Sequence, residues 1–384
     1  MASPVSPASS RALPPGRPWH QRFNRALRHV LTACLNRPSP ANGARPVGPR
    51  PAADTVRQIL IVRVNYRLGN VVLMTSILPV LQAAYPGAVI DVLAGAGPDL
   101  LLAGLPLRHV ERVSRRMLRA PRAVATLLRR LRRRRYDLVI DASLGSFSGT
   151  LYGWLSGAPH RLGGCGRADR LLTWPLDLPA QIPAYGMAPF LASQLGVKTS
   201  ALPRLTPPTA SARAEARAVL RKLSGDAPLP PSGAHLGVFV GGHHEKRYPA
   251  EHWIDCVREL GDHPWMTLVF IGPEERELAP RLAAAITHPR VLIVPPQALS
   301  IFVTLLADLA LLVTPDSGPL HIAAALDVPV LALIQDPKSL GFLPPGDAHR
   351  FVHQPTPAEL LTAIRQHPAA ARLLNPTPAD AVQN

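Results

Sequence analysis

The sequence predicts an α/β protein made of two doubly wound, parallel-sheet domains. Three observations carry this. Short apolar runs alternate with helix-length segments from Ile59 onward, and a second, cleaner alternation starts at Leu236. A Pro-rich stretch, residues 201–232, separates the two series. A length of 384 residues with 47% apolar content exceeds one small core and suits two domains plus tails.

In chain order, residues 1–55 form a basic, Pro-rich N-terminal region, expected to be mobile around one amphipathic helix at 19–35. There Trp19, Phe23, Leu27, Val30 and Cys34 share one face and Arg22, Arg25, Arg28 and His29 the other. That pattern leaves open an interfacial helix and a helix docked on the protein's own surface. The first domain, 56–200, opens with a buried strand at Ile59–Val64, a loop at Asn65–Gly69, a helix from Asn70 to Ala84 and a strand at Val89–Leu93, a βαβ unit. A basic helix from Pro121 to Arg135 then precedes a strand at Leu138–Ile140 that ends on Asp141. The linker 201–232 holds one helical stretch, Ala210–Leu223. The second domain, 233–350, carries strands at Leu236–Val240, Thr267–Ile271, Val291–Val294, Leu309–Val313 and Val330–Ile334. Helices near Ala250–Leu260, Glu275–Ile286, Leu299–Ala307 and Gly318–Leu326 separate them. A C-terminal helix and tail occupy 351–384.

The formal net charge of +17 points to an anionic partner: a phosphorylated glycolipid, a membrane surface or nucleic acid. Aromatic residues are only 5% and none interleaves with the arginines of the basic helix, so a base-stacking surface is not expected, and neither is a nucleic-acid partner. Cys34, Cys165 and Cys256 lie far apart with no CxxC pair, which suits a reducing compartment. No apolar run approaches the roughly 20 residues of a membrane span. The expected location is cytoplasmic, and the charge allows a peripheral contact with the inner face of the membrane.

The most specific segment is LLVTPDSGPLHIAAALDVPV. A buried strand leads through Thr314, Pro315, Asp316 and Ser317 into a helix opening with Gly318 and Pro319. Proline fits the first turn because its missing N–H has no intrahelical partner there, and Asp316 or Ser317 is placed to cap. The free N–H groups and the positive end of the helix dipole make an anion site, with His321 in the same turn. A second turn, GGHHEKRYPAEHW, offers Gly241 and Gly242 for close backbone approach and Lys246 and Arg247 for phosphate. A third, IGPEERELA, places Glu274 and Glu275 where a carboxylate can accept bonds from ribose hydroxyls.

These three turns resemble the donor half of glycosyltransferase family 9, the ADP-heptose:lipopolysaccharide heptosyltransferases. The segments ILIVRVNYRLGNVVLMTSILPVLQAAYPGAVIDVL and YDLVIDAS resemble that family's acceptor half. The resemblance covers roughly residues 58–345 and implies a GT-B fold, two Rossmann-like domains facing across a cleft. It implies that Lys246 approaches the donor's phosphate and sugar, Glu275 the ribose, and Ser317, Gly318 and His321 the diphosphate, with Arg247, Thr314 and Asp316 beside them. On the acceptor side the candidate residues are Arg67, Gly69 and Ser143. One departure stands out: the family's usual acid after the first-turn Gly, thought to be the base, is Asn70 here. An amide orients a hydroxyl but does not usefully take its proton. Asp141 or His243 is then the base, the acceptor is unusual, or catalysis is lost; the intact donor turns favour an active enzyme. Asp141 itself reads equally as a cleft residue and as a cap on the next helix.

The expected function is inverting transfer of a heptose or related sugar from a nucleotide donor, ADP-heptose first among them, to a lipopolysaccharide core or similar anionic glycan. No cofactor and no metal are expected, because backbone and basic groups hold the diphosphate in such enzymes. The alternative is a non-catalytic sugar-nucleotide-binding protein of the same fold that has lost its base.

Overall fold

A computed structural model describes residues 50–374, apart from Leu144, Arg167, Ala180, Gln181, Ser200, residues 226–228, residues 243–245 and Asp262. The expected helix 19–35, His243 and the tail beyond 374 lie outside the described residues.

Two six-stranded sheets organise the chain. The first contains β1 (Gln58–Arg63), β2 (Val89–Gly95), β3 (His109–Val113), β4 (Leu138–Asp141), β5 (His160–Gly164) and β6 (Trp174–Leu176), in the order β3-β2-β1-β4-β5-β6. The second contains β7 (His235–Phe239), β8 (Met266–Phe270), β9 (Val291–Val294), β10 (Leu309–Pro315), β11 (Val330–Ile334) and β12 (His349–His353), in the order β12-β11-β10-β7-β8-β9. Every described strand pairing is parallel. Counted from its own first strand, each sheet follows the same Rossmann order, 3-2-1-4-5-6. The predicted pair of doubly wound domains is therefore present, and the last strand of the second sheet runs on past residue 350.

Side-chain alternation explains the layering. On β1, Ile59 and Ile61 point into a core with Val71, Ile77, Leu81 and Leu191, whereas Leu60 and Val62 meet Leu127, Leu131 and Tyr152 on the opposite face. The first layer is α1 (Leu68–Met74), α2 (Ile77–Ala84) and, after β6, the helix Met187–Leu195. The second is α3 (Pro121–Arg133) and α4 (Phe147–Leu155). On α3, Leu127 and Leu131 are buried, contributing about 2 kcal/mol each. Its arginines stay in water, those of the last turn where the helix dipole favours positive charge.

The helix expected over Asn70–Ala84 is two helices, broken at Thr75 and Ser76. Thr75 Oγ1 donates to Val72 O and Ser76 Oγ to Leu73 O, local bonds that compete with the helical ladder. Thr75 Oγ1 also accepts from Arg204 N, which ties the break to the linker. The helix expected over Glu275–Ile286 likewise divides, into a 3-10 turn Pro273–Glu275 and the helix Leu278–Ala285.

The two domains meet through α1 and α5 (Gly318–Ala325), taking α5 as the helix that follows β10. The linker reinforces this contact: Leu205 N donates to Ala325 O, and Arg204 pairs with Asp327. In a 3-2-1-4-5-6 sheet the winding reverses between the first and fourth strands, and ligands bind beyond their carboxyl ends. Those ends lie at β1 and β4 in one domain and at β7 and β10 in the other. Among the described residues no helix is long and apolar enough to cross a membrane.

Candidate active site between the two sheets

The turn after β10 leads from a strand end straight into a helix start. Ser317, in extended conformation, is the N-cap residue of α5, and Pro319 occupies its first turn. The expectation that Asp316 or Ser317 caps the helix is not met. Ser317 makes no side-chain cap bond; its Oγ lies 3.1 Å from Thr314 Oγ1. Asp316 instead forms an ion pair with Lys246, which arrives from the turn after β7. With no side chain on the helix end, its first N–H groups and the dipole are left for a ligand.

Beside this turn, Arg247 Nη2 donates to Glu275 Oε1 at 2.7 Å, and its Nε donates to Gly242 O at 3.3 Å. Gly242 N also donates to Glu275 Oε1, at 3.4 Å. Of the two competing glutamates, Glu275 is thus the one buried among the strand ends, while Glu274 is exposed. Gly241 and Gly242 serve the protein's own packing. A β-carbon on Gly241 would meet the Phe239 ring at 2.5 Å, and one on Gly242 the Lys246 carbonyl oxygen at 2.8 Å.

On the first domain, Arg67 is exposed and its N–H donates to Asn65 Oδ1 at 2.9 Å, which shapes the turn into α1. Gly69 and the half-buried Asn70 follow in the first turn of α1. Asp141, at the end of β4, is 2% exposed. Its Oδ1 accepts from Ser143 N at 3.0 Å and its Oδ2 from Thr150 Oγ1 at 3.2 Å. Burial pushes this carboxyl up to about 6, against the opposing pull of those hydrogen bonds and of Arg63. The N-cap of α4 is Ser146, whose Oγ accepts from Gly149 N. Asp141 therefore braces the turn from below, under Gly149, and does not cap the helix.

His321 joins the halves. It is 5% exposed, and its Nδ1 lies 2.9 Å from the hydroxyl of Tyr185, a first-domain residue. Burial brings its pKa down to about 4; Asp316 opposes that shift and Lys246 adds to it. The imidazole is neutral at physiological pH.

Fold and site together bring Lys246, Arg247, Glu275, Thr314, Asp316, Ser317, Gly318 and His321 to the carboxyl-end side of the second sheet. The carboxyl-end side of the first sheet carries Arg67, Gly69, Asn70, Asp141 and Ser143. Two contributors escaped the sequence reading. Arg63 is buried on β1 and its guanidinium donates to Ala142 O. Desolvation takes its pKa down to about 10, partly offset by Asp141. Tyr185 sits in an irregular stretch with no periodicity or motif to mark it.

Comparison with known proteins agrees with this geometry. The sequence model described as glycosyltransferase family 9 (heptosyltransferase) matches residues 124–353. Lipopolysaccharide heptosyltransferase 2 of Escherichia coli K12 is 28% identical over 317 residues, 75% of this chain and 85% of that protein. The solved structure of the E. coli ADP-heptose lipopolysaccharide heptosyltransferase II has a TM-score of 0.66 at 25% identity, covering 83% of this chain and 98% of the other. That of E. coli heptosyltransferase WaaC with ADP-2-deoxy-2-fluoro heptose shares the fold, with a TM-score of 0.62 at 22% identity over 80% of this chain and 99% of the other.

Proposed function

The chain belongs to glycosyltransferase family 9, and we propose that it is a heptosyltransferase, moving heptose from ADP-heptose to a lipopolysaccharide core sugar with inversion at the anomeric carbon. Its two-domain GT-B architecture is that of the structurally related heptosyltransferases. The observation that carries the substrate reading is the Lys246–Asp316 pair beside the uncapped end of α5, directly across from the first turn of α1.

In this reading the diphosphate lies on the N–H groups at Ser317 and Gly318, with Thr314 and Lys246 at its side, and Glu275 accepts from the ribose. Lys246 partly exchanges Asp316 for phosphate as the donor enters. The acceptor hydroxyl attacks the anomeric carbon, the bond from that carbon to the diphosphate breaks, and ADP departs with the negative charge. Asn70 orients the hydroxyl. Asp141, ionised above about pH 6, receives its proton, a basicity suited to work near neutral pH. Lysine and helix dipole supply the positive charge, so the reaction needs no metal.

The acceptor is anionic and the enzyme works at the inner face of the cytoplasmic membrane. Exposed Arg112, Arg115, Arg116, Arg119 and Arg122, on and around the turn before α3, support this. The deciding experiment incubates the full chain with ADP-heptose and a heptose-deficient lipopolysaccharide, reading ADP release and acceptor mass. A gain of one heptose is expected. Transfer from a UDP-, GDP- or dTDP-sugar but not from ADP-heptose would overturn the donor assignment.

A further inference from the structure

We propose that Tyr185 is a positioning residue for His321, holding the imidazole across the domain boundary in the tautomer that presents Nε2–H to the donor diphosphate. The proposal rests on the donor reading above. Tyr185 lies in the 3-10 turn Ala184–Gly186 of the first domain, and its ring centroid is 5.7 Å from that of His321 in the second. This turn packs against the 3-10 turn Pro337–Phe342, whose Phe342 ring lies 5.2 Å from Lys246 Nζ. The Tyr185 contact therefore belongs to the same cluster as the ion pair at the donor turn.

The chemistry of the pair sets the tautomer. A neutral imidazole carries one N–H, and the nitrogen that accepts from a neighbour forces that proton onto the other. Burial, reinforced by Asp316, pushes the Tyr185 phenol well above its ordinary value, so the hydroxyl keeps its proton. His321 Nδ1 lies 2.9 Å from that hydroxyl; in the proposed arrangement the phenol donates to Nδ1 and the proton of the ring is on Nε2. Nε2 faces the junction of α1 and α5, 3.4 Å from where a β-carbon on Gly69 would stand. The opposite tautomer would aim a lone pair at the diphosphate oxygens.

The dependence on Tyr185 has a consequence for the cycle. His321 belongs to the donor domain, but its donor tautomer is selected by the other domain. Only when the domains touch is the diphosphate offered this hydrogen bond, which links donor grip to closure.

The test uses the full chain labelled with 15N-histidine, with His321→Asn assigning the resonances and thermal midpoints confirming that Tyr185→Phe is folded. In the wild-type protein without ligand, long-range 1H–15N spectra should show an unprotonated Nδ1 and a protonated Nε2 at His321. In Tyr185→Phe both nitrogens should move toward the average of exchanging tautomers. Kinetically, Tyr185→Phe should raise the donor KM about tenfold with a smaller effect on kcat, and the double variant should be no worse than His321→Asn alone. Spectra unchanged by Tyr185→Phe, or a wild-type ring protonated on Nδ1, would overturn the proposal, as would additive kinetic losses. The spectra need no substrate, so they decide the role of Tyr185 even if ADP-heptose proves to be the wrong donor.

Discussion

Gly69 of the first domain lies against the imidazole of His321 in the second, so closely that a β-carbon at position 69 would stand 2.6 Å from His321 Cδ2. Its backbone is ordinary helix and would accept alanine. The requirement for glycine is thus the domain contact itself. Gly318 answers it from the other side, where a β-carbon would meet Leu68 Cβ at 3.3 Å.

Gly69→Ala should therefore separate local fold from assembly. Overpacking of this kind costs about 1–3 kcal/mol, and we expect kcat/KM to fall at least about tenfold as α1 is pushed from α5. Steady-state kinetics beside a urea titration check this; full activity would show that the domains do not work in this contact.

Lys246→Met removes one partner of a charge pair and leaves Asp316 buried without it. Charge-assisted bonds contribute roughly 1.5–3 kcal/mol, so donor affinity should weaken about 10- to 100-fold. The measurement is the rise in thermal midpoint with ADP-heptose, large in the wild-type protein and nearly absent in the variant.

The proton's destination is open to a pH profile. Because Asp141 is a base only when ionised, kcat/KM of the wild-type protein should decline as pH drops below about 6. Asp141→Asn should abolish that limb and lower the rate by about a hundredfold or more. Asn70→Asp should raise the rate and bring its own, lower acid limb. A wild-type profile flat to pH 5 would exclude Asp141 as the acceptor of the proton.

Stability should also fall in acid, through histidine. His235, at the start of β7, is 4% exposed, and neither ring nitrogen has a hydrogen-bond partner. Burial, reinforced by Arg217, lowers its pKa to about 4. The unfolded chain binds a proton through the window from about 6.5 to 4 while the folded protein does not, so stability is lost as pH falls through that window. The loss from this residue is at most about 3 kcal/mol. His235→Leu should flatten the acid side of the thermal-midpoint profile and raise stability at neutral pH. An unaltered slope would place the acid sensitivity elsewhere.

In the proposed mechanism Lys246 and the dipole of α5 supply the positive charge that the departing diphosphate needs. Addition of EDTA should leave the initial rate of transfer unchanged, measured as ADP release, whereas a drop restored by added divalent cation would show that a metal takes part.

Much of the scaffold could be read directly. β1, β7, β8, β10 and β11 are central strands covered on both faces, so they are continuous apolar runs, and their ends stood out. The edge strand β9 was read from its apolar run, but the edge strands β3 and β12 were silent. β3 reads HVERV and β12 reads HRFVH, polar sequences because an edge needs only part of its surface buried. The break at Thr75–Ser76 escaped notice because an apolar period runs through it, and side-chain bonds to local carbonyls with the arrival of Arg204 decide it.

The site divides in the same way. By itself the sequence determined the strand-to-helix turn from Thr314 to His321, because a strand end, a helix start and their intervening residues are neighbours in the chain. It also determined that Asn70 stands where an acid was expected. Only the tertiary structure decided that Asp316 turns to Lys246 and leaves the helix end uncapped, that Glu275 and not Glu274 is buried against Arg247 and Gly242, and that Tyr185 reaches His321. Each of these joins residues from different strands or different domains, and no periodicity along the chain encodes a distance across the fold.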